Sequence, residues 1–278
     1  MRLLVVLLAT HFLLNVANVS GAQSTKPIPA LIERCKPAVV AVGVYTTSKL
    51  PEEAQLPVVG EGKFSTGETV YLYVSGTGFI ASSDGYVVTA LHVIAKIPEP
   101  IPIIMPSGQI LSAKVVSTST EHDFAILKLD LKDAPFLRFG DFSKIAEGDD
   151  VLYIGHPFGV PQEISSKGMI SWAGKSERGY AFQLNAIVNA GNSGGPLIDT
   201  TSERVVGIVS AKYGELSPYL KEIKNGTVVM NINIAGGGFD LQHFVKDVTN
   251  MMDLHIQMGI GYAVSSEYAE AEITKARK

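Results

Sequence analysis

The feature that most restricts the possible folds of this chain is its alternation of short apolar runs and turns. The runs are rich in β-branched residues, and turn signals separate them about every 10 residues. The 278-residue sequence contains 27 glycines and 14 prolines, which fall largely between these runs. Ser83-Asp84-Gly85, for example, is a strong hairpin signal. Strands this dense fit a β-barrel or a β-sandwich rather than alternating βαβ units. The sequence therefore predicts an all-β protein.

A few segments depart from this pattern. Residues 27–35 predict a short helix, and residues 240–254 carry apolar residues at helical spacing that predict an inserted helix. Residues 267–275 predict a charged C-terminal helix. The polar residues 46–68 and the proline-bearing residues 98–106 predict irregular surface segments without strands.

The first 22 residues predict an export signal. Arg2 precedes the mostly apolar stretch from Leu3 to Leu14, and Ser20-Gly21-Ala22 offers small residues for cleavage. The apolar stretch is about 12 residues long, too short for a permanent membrane span. No later run is long and apolar enough to cross a bilayer. We therefore expect an exported protein, periplasmic or secreted, with no stable membrane span after signal removal.

Charge and residue content argue against a nucleic-acid partner, an intrachain disulfide and a metal site. The formal net charge is −4, and no basic block indicates a nucleic-acid partner. Cys35 is the sole cysteine, so no intrachain disulfide is expected, and a buried apolar role suits it best. Asp149-Asp150 has no accompanying ligand cluster and predicts a solvated turn rather than a cation site. We expect neither a metal nor a cofactor.

The stretch from Asn189 to Leu197 is the best candidate for chemistry. It places Ser193 among three glycines and ahead of a proline. A serine nucleophile needs a neighbouring base, and it needs donors that face the charge developing on the substrate. In such a turn the N–H groups of Gly191 and Ser193 could converge on one point. Taken alone, the same residues also fit an ordinary turn between two strands.

His92 is the best candidate for the base. It follows an apolar strand directly, whereas a lone histidine elsewhere is more often structural or solvated, as we expect for His156. The base in turn needs a carboxylate that holds its tautomer. Asp123 stands at the head of an apolar strand, where a carboxylate costs free energy unless it has a buried partner.

These residues belong to motifs that resemble the trypsin-like serine protease fold, in its HtrA/Deg branch. The closing residues 259–264 also resemble the last strand of that branch's protease domain, and the resemblance covers about residues 30–210 and 258–272. The motifs occur in this order: Gly76-Thr77-Gly78-Phe79-Ile80, Thr89-Ala90-Leu91-His92-Val93, Asp123-Phe124-Ala125-Ile126-Leu127, Gly155-His156-Pro157-Phe158-Gly159 and Gly191-Asn192-Ser193-Gly194-Gly195-Pro196.

The resemblance implies two perpendicular chymotrypsin-like six-stranded β-barrels after the signal. The first would lie within residues 23–136, and the second within 137–278 with an insertion at 214–258. The catalytic triad would be His92, Asp123 and Ser193, and the oxyanion hole would be Gly191, Asn192 and Ser193. Two departures are expected: the chain ends too soon for the PDZ domain that this branch usually carries, and the insertion replaces a short connection near the cleft.

Substrate preference is predicted from the residues that would line the primary specificity pocket. Ile187 would occupy the base of this pocket, where a preference for Lys or Arg needs an acid, so we expect small or medium aliphatic P1 residues. Lys212 could instead favour an acidic residue, although a solvated lysine is the more common role. The predicted substrate-binding residues are Ile187, Ser210, Ala211 and Lys212.

The sequence thus predicts a serine endopeptidase that hydrolyses polypeptide substrates through an acyl-enzyme. Two alternatives stay open. One is a trypsin-fold protein that binds peptides with a collapsed oxyanion turn, and the other is an envelope scaffold that has kept the triad. HtrA proteases often form trimers through N-terminal aromatic contacts, and residues 23–34 contain no Phe, Tyr or Trp. A homo-oligomer is therefore left open.

Overall fold

The computed structural model describes residues 27–51, 56–63, 66–176, 180–210 and 260–278. The predicted signal at 1–22 and the whole predicted insertion at 214–258, with its helix at 240–254, lie outside these residues. Among the described residues, no helix is long and apolar enough to cross a membrane.

Seven strands form the first antiparallel sheet, in the order β1-β5-β6-β7-β4-β3-β2. Because β1 also pairs with β3, six of them close into a barrel, and β2 lies outside it against the first half of β3. The strands are β1 (Val39–Thr46), β2 (Gly60–Lys63), β3 (Thr69–Ile80), β4 (Tyr86–Ala90), β5 (Ile101–Ile104), β6 (Ile110–Ser119) and β7 (Phe124–Lys128).

The remaining strands close a second barrel in the order β10-β13-β12-β11-β8-β9. All of their pairings are antiparallel. The fold class predicted from the sequence, with two six-stranded barrels, is therefore confirmed. The strands are β8 (Asp150–Gly155), β9 (Ile164–Ala173), β10 (Phe182–Asn185), β11 (Pro196–Asp199), β12 (Arg204–Val209) and β13 (Ile260–Ser265).

Three α-helices accompany the barrels in the described part of the chain: α1 (Ile28–Cys35), α2 (Leu91–Ile94) and α3 (Glu267–Ala276). The predicted helices at 27–35 and 267–275 are confirmed. Helix α3 follows β13 of the second barrel, yet it buries Ala269 and Ile273 in the core that Phe79 and Ile126 of the first barrel share. The Cys35 thiol is buried at the end of α1, and this burial raises its pKa to about 11.

The apolar core continues from one barrel into the other. One cluster joins Phe79 and Ile126 of the first barrel to Leu152 and Ile208 of the second. A separate cluster around Phe182 fills the interior of the second barrel. Each large apolar side chain buried in this way stabilises the fold by about 1.5–3 kcal/mol. The shared cluster fixes one barrel against the other, and it does so beside the strands that carry the candidate catalytic residues.

Two predicted irregular segments contain strands. Residues 98–106 include β5, because Ile101 and Ile103 alternate into the core while Pro102 takes a position between them. Strand β5 pairs with β1 and β6, so these burials outweigh the prolines that argued against a strand. Residues 46–68 include β2, a mostly exposed strand that lacks the apolar alternation by which it could have been predicted.

Candidate active site

His92 and Asp123 lie at neighbouring strand ends of the first barrel. Strand β4 pairs with β7 and leads directly into α2, whose second residue is His92. Asp123 precedes β7 and adopts φ 46°, a left-handed conformation that aspartate tolerates better than most residues. This backbone brings the Asp123 Oδ2 atom to 2.7 Å from His92 Nδ1, and His92 N–H donates to Oδ1 at 3.1 Å.

A third donor reaches the same carboxylate from the second barrel. The Ser210 hydroxyl, directly after β12, donates to Asp123 Oδ2 at 3.3 Å. The Asp123 side chain is only 3% exposed, so these hydrogen bonds offset the desolvation of its charge. With the carboxylate ionised, the Nδ1 proton of His92 lies in their shared bond, which leaves Nε2 as the ring atom that can accept a proton.

Ser193 lies in the tight turn between β10 and β11. Gly191 and Gly194 on either side adopt φ 91° and 89°, conformations that residues with a side chain rarely adopt. The turn also leaves no room: a Cβ atom on Gly194 would lie 2.0 Å from the Thr77 carbonyl oxygen of β3. The Thr77 N–H donates to the Ser193 carbonyl at 2.9 Å. The candidate nucleophile is therefore held against the first barrel, which also carries His92.

The first candidate oxyanion donor is the Gly191 N–H. The preceding Ala190 carbonyl accepts a hydrogen bond from the Phe158 N–H at 2.8 Å. In a planar trans peptide the carbonyl and the next N–H point in opposite directions. The Gly191 N–H therefore points away from the Phe158 amide.

The second candidate donor, the Ser193 N–H, is oriented by the same principle. The Asn192 carbonyl accepts from the Gly195 N–H at 3.0 Å, which fixes the plane of the peptide that Asn192 shares with Ser193. Asn192 and Ser193 are both buried. The two peptides that carry the Gly191 and Ser193 donors are thus each held through their carbonyl groups. Preorganised amides of this kind are what an oxyanion hole requires.

The predicted substrate-binding residues occupy different environments. Ile187 is 51% exposed, and its backbone carbonyl accepts a hydrogen bond from the Tyr153 hydroxyl. Ser210 is buried and directs its hydroxyl to Asp123, a contact that the sequence analysis did not predict. Ala211 and Lys212 lie outside the described residues.

Sequence reasoning gave no role to Thr77 or Phe158 and expected His156 to be structural, and all three lie against the nucleophile turn. Their signal was present in the Gly-Thr-Gly and Gly-His-Pro-Phe-Gly motifs, but contacts between these motifs depend on how the two barrels meet. Throughout the described ranges, no group of three or more His, Cys, Asp or Glu side chains could hold a metal ion.

His156 gives the protein a testable dependence on pH. Burial lowers the pKa of its ring, Nδ1 bonds the Val160 carbonyl, and Nε2 is buried with no hydrogen-bond partner. Because the folded pKa lies below the unfolded value of about 6.5, the unfolded chain binds the proton first. We therefore expect the free energy of unfolding to fall as pH drops below that value, measured by urea denaturation at pH 7.5, 6.5 and 5.5.

Matched variants isolate this contribution from other titrating groups. Asparagine at position 156 is neutral at every pH, so His156→Asn is expected to flatten the decline. His122 is partly exposed, and His122→Gln is expected to leave the decline as steep as in the wild type. A His156→Asn protein that loses stability as steeply as the wild type would contradict the assignment.

Comparisons with known proteins agree with this architecture. Residues 76–208 match the family described as trypsin-like peptidase domain. A probable periplasmic serine endoprotease, DegP-like, from Pseudomonas fluorescens is 35% identical across 98% of this chain and 57% of its own length. A protein of the same description from Chlamydia muridarum is 38% identical, across 50% of this chain and 28% of its own length.

Solved structures give the same result. The HtrA-type protease AlgW with a decapeptide superposes with a TM-score of 0.63 at 25% identity, covering 90% of this chain and 67% of that one. AlgW with a tripeptide gives a TM-score of 0.58 at 26% identity, covering 90% of this chain and 63% of that one. This chain spans about half the length of the curated relatives first matched, 46% and 57% of two Pseudomonas proteins.

Proposed function

This chain carries a trypsin-like peptidase domain of the HtrA/DegP branch, and from that premise we propose that it is an exported serine endopeptidase acting on polypeptides. The observation that carries the proposal is the buried Asp123 carboxylate, which binds the His92 ring and backbone while the Ser193 turn packs on the same barrel. The relatives named periplasmic endoproteases support the same activity and location.

In the first half-reaction, His92 Nε2 accepts the Ser193 hydroxyl proton as the oxygen bonds to the substrate carbonyl carbon. The carbonyl electron pair moves onto oxygen, and the Gly191 and Ser193 N–H groups stabilise this oxyanion. When the carbonyl re-forms, the carbon–nitrogen bond breaks, and the imidazolium gives its proton to the leaving amine. Asp123 stays ionised throughout and stabilises the charged ring.

In the second half-reaction, water replaces the amine. His92 accepts a proton from the water as its oxygen attacks the acyl-enzyme ester. The second oxyanion collapses, the bond to Ser193 breaks, and His92 returns the proton to the serine oxygen. The products are a carboxylic acid and an amine, and the enzyme is regenerated.

The proposed organisation follows the same premise. Residues 1–22 would be removed on export, residues 23–136 would hold the first barrel with His92 and Asp123, and residues 137–278 would hold the second with Ser193. The insertion at 214–258 lies in sequence between β12 and β13.

The proposed P1 preference is for small or medium aliphatic residues. Ile187 offers an apolar side chain where a basic P1 residue would need a carboxylate. Cleavage of a mixed peptide library, read by mass spectrometry, should therefore yield mainly Ala, Val, Ile or Leu at P1. Ile187→Asp should raise relative cleavage after Lys or Arg by about 10-fold or more. A wild-type profile dominated by Lys or Arg would contradict the proposal.

The proposed function is tested by labelling the mature protein with a fluorophosphonate and by following hydrolysis of β-casein. A fluorophosphonate reacts with an activated serine in a formed oxyanion hole, and peptide mapping should place the adduct on Ser193. Hydrolysis should disappear as labelling proceeds. A folded sample that neither reacts nor hydrolyses casein would instead favour a peptide-binding or scaffold role.

A further inference from the structure

We propose that Thr77 is a positioning residue, whose hydroxyl holds the nucleophile turn so that the Gly191 and Ser193 N–H groups are presented to the oxyanion. Thr77 belongs to β3 of the first barrel, whereas the turn belongs to the second. The inference rests on the proposed function and adds to it a group that touches neither substrate nor the reacting atoms.

The contacts of Thr77 converge on the turn. Its hydroxyl donates to the Gly191 carbonyl at 2.6 Å and accepts from the His156 N–H at 2.9 Å. Its own N–H donates to the Ser193 carbonyl at 2.9 Å, and its carbonyl accepts from the Thr89 hydroxyl at 2.6 Å. A hydroxyl has one proton, so the bond to Gly191 uses the only donor that this side chain has. The residue is fully buried.

The Gly191 carbonyl belongs to the peptide that links the two donor-bearing peptides. The donor N–H groups lie in the peptides before Gly191 and before Ser193, and the Gly191–Asn192 peptide connects them. Rotation of that middle peptide changes the angle between the two donors. All four carbonyls of residues 190–193 accept a hydrogen bond, and that of Gly191 is bound by a side chain, the Thr77 hydroxyl.

A point substitution can therefore release this one carbonyl without changing the backbone. In Thr77→Val the shape of the side chain is nearly kept, but the buried Gly191 carbonyl and the His156 N–H lose their shared partner. Buried polar groups without partners are unfavourable, so the middle peptide is expected to rotate towards another donor. The oxyanion hole would then be present in only part of the population.

The test compares Thr77→Val with Thr77→Ser in casein and peptide hydrolysis and in fluorophosphonate labelling. Thr77→Val is expected to lower kcat by about 10–100-fold, with KM changed by less than about 3-fold, because the lost stabilisation is specific to the transition state. The rate of labelling should fall by a similar factor. Thr77→Ser keeps the hydroxyl and should stay within about 3-fold of the wild type.

Ser266→Ala controls for the general cost of losing a buried hydroxyl. The Ser266 hydroxyl is buried and donates to the Val205 carbonyl at 3.1 Å. Val205 is near the start of β12, whereas Ser210 follows the last residue of that strand. The Ser266→Ala variant should lower Tm about as much as Thr77→Val does, while leaving kcat unchanged. The inference is overturned if Thr77→Val keeps the wild-type kcat, or if Thr77→Ser loses as much activity as Thr77→Val.

A second readout separates this inference from the proposed function. In glycine-selective ¹⁵N spectra, the Gly191 amide resonance should move in Thr77→Val and keep its position in Thr77→Ser. A Gly191 resonance that is unchanged in Thr77→Val overturns the role of Thr77, whatever the activity. A wild-type protein that neither hydrolyses casein nor reacts with the fluorophosphonate refutes the proposed function, while the spectra still decide on Thr77.

Discussion

Replacing Ser193 by alanine is expected to abolish peptide hydrolysis, lowering kcat by about 10⁵–10⁶-fold, as in serine proteases whose nucleophile is removed. The substitution deletes the only atom that forms the acyl-enzyme, and it leaves His92 with no alcohol to deprotonate. The Gly191 and Ser193 backbone amides persist in the variant, so a residual rate above that in water is expected. The measurement is steady-state hydrolysis of a fluorogenic peptide, with fluorophosphonate labelling in parallel.

Ser82→Ala is the matched control for this prediction. Ser82 is about as buried as Ser193, and its hydroxyl accepts a hydrogen bond from the Tyr86 N–H in the turn between β3 and β4. Its removal should cost some stability without changing kcat. Thermal unfolding should show that Ser193→Ala is folded. A folded Ser193→Ala protein that keeps wild-type turnover would mean that the reaction uses another nucleophile.

The candidate triad was predictable because each member is marked by its local sequence. An apolar strand that ends in a histidine, or begins after an aspartate, places a polar side chain at the edge of a core, and the structure puts His92 and Asp123 at such edges. The glycines around Ser193 likewise indicate a backbone conformation that residues with a side chain rarely adopt. These signals are local, and the resemblance to a known fold supplied their order and their roles.

Contacts between the barrels could not be predicted in the same way. The Ser210 hydroxyl was expected in the substrate pocket, and the structure directs it to Asp123, 87 residues away in the sequence. Thr77 contacts Gly191 across 114 residues. Neither contact leaves a periodicity or a composition signal, because each depends on how two closed barrels pack. Strand β5 was missed for a related reason. The prolines of residues 98–106 are visible in the local sequence, whereas the burial of Ile101 and Ile103 depends on packing against other parts of the chain.

Gly191→Ala is expected to lower kcat by about 10²–10³-fold, the effect typical of losing one oxyanion donor. Gly191 adopts φ 91°, and a Cβ atom there would lie 2.2 Å from the His156 carbonyl oxygen and 3.0 Å from the Phe158 nitrogen. Both contacts involve backbone atoms, so no flexible side chain can move aside and the backbone itself must shift. Any rotation that relieves them also turns the Gly191 N–H, and hydrolysis of a fluorogenic peptide would report the loss.

Gly148→Ala separates this steric clash from backbone strain. Gly148 adopts φ 95°, but a Cβ atom there would meet nothing within 4 Å. Both variants place alanine in a left-handed conformation, at a cost of about 1–2 kcal/mol, and both should lower Tm. Only Gly191→Ala should lower kcat and slow fluorophosphonate labelling. If Gly191→Ala lost no more than Gly148→Ala in either assay, the turn would tolerate a side chain, and the proposed position of the oxyanion hole would be wrong.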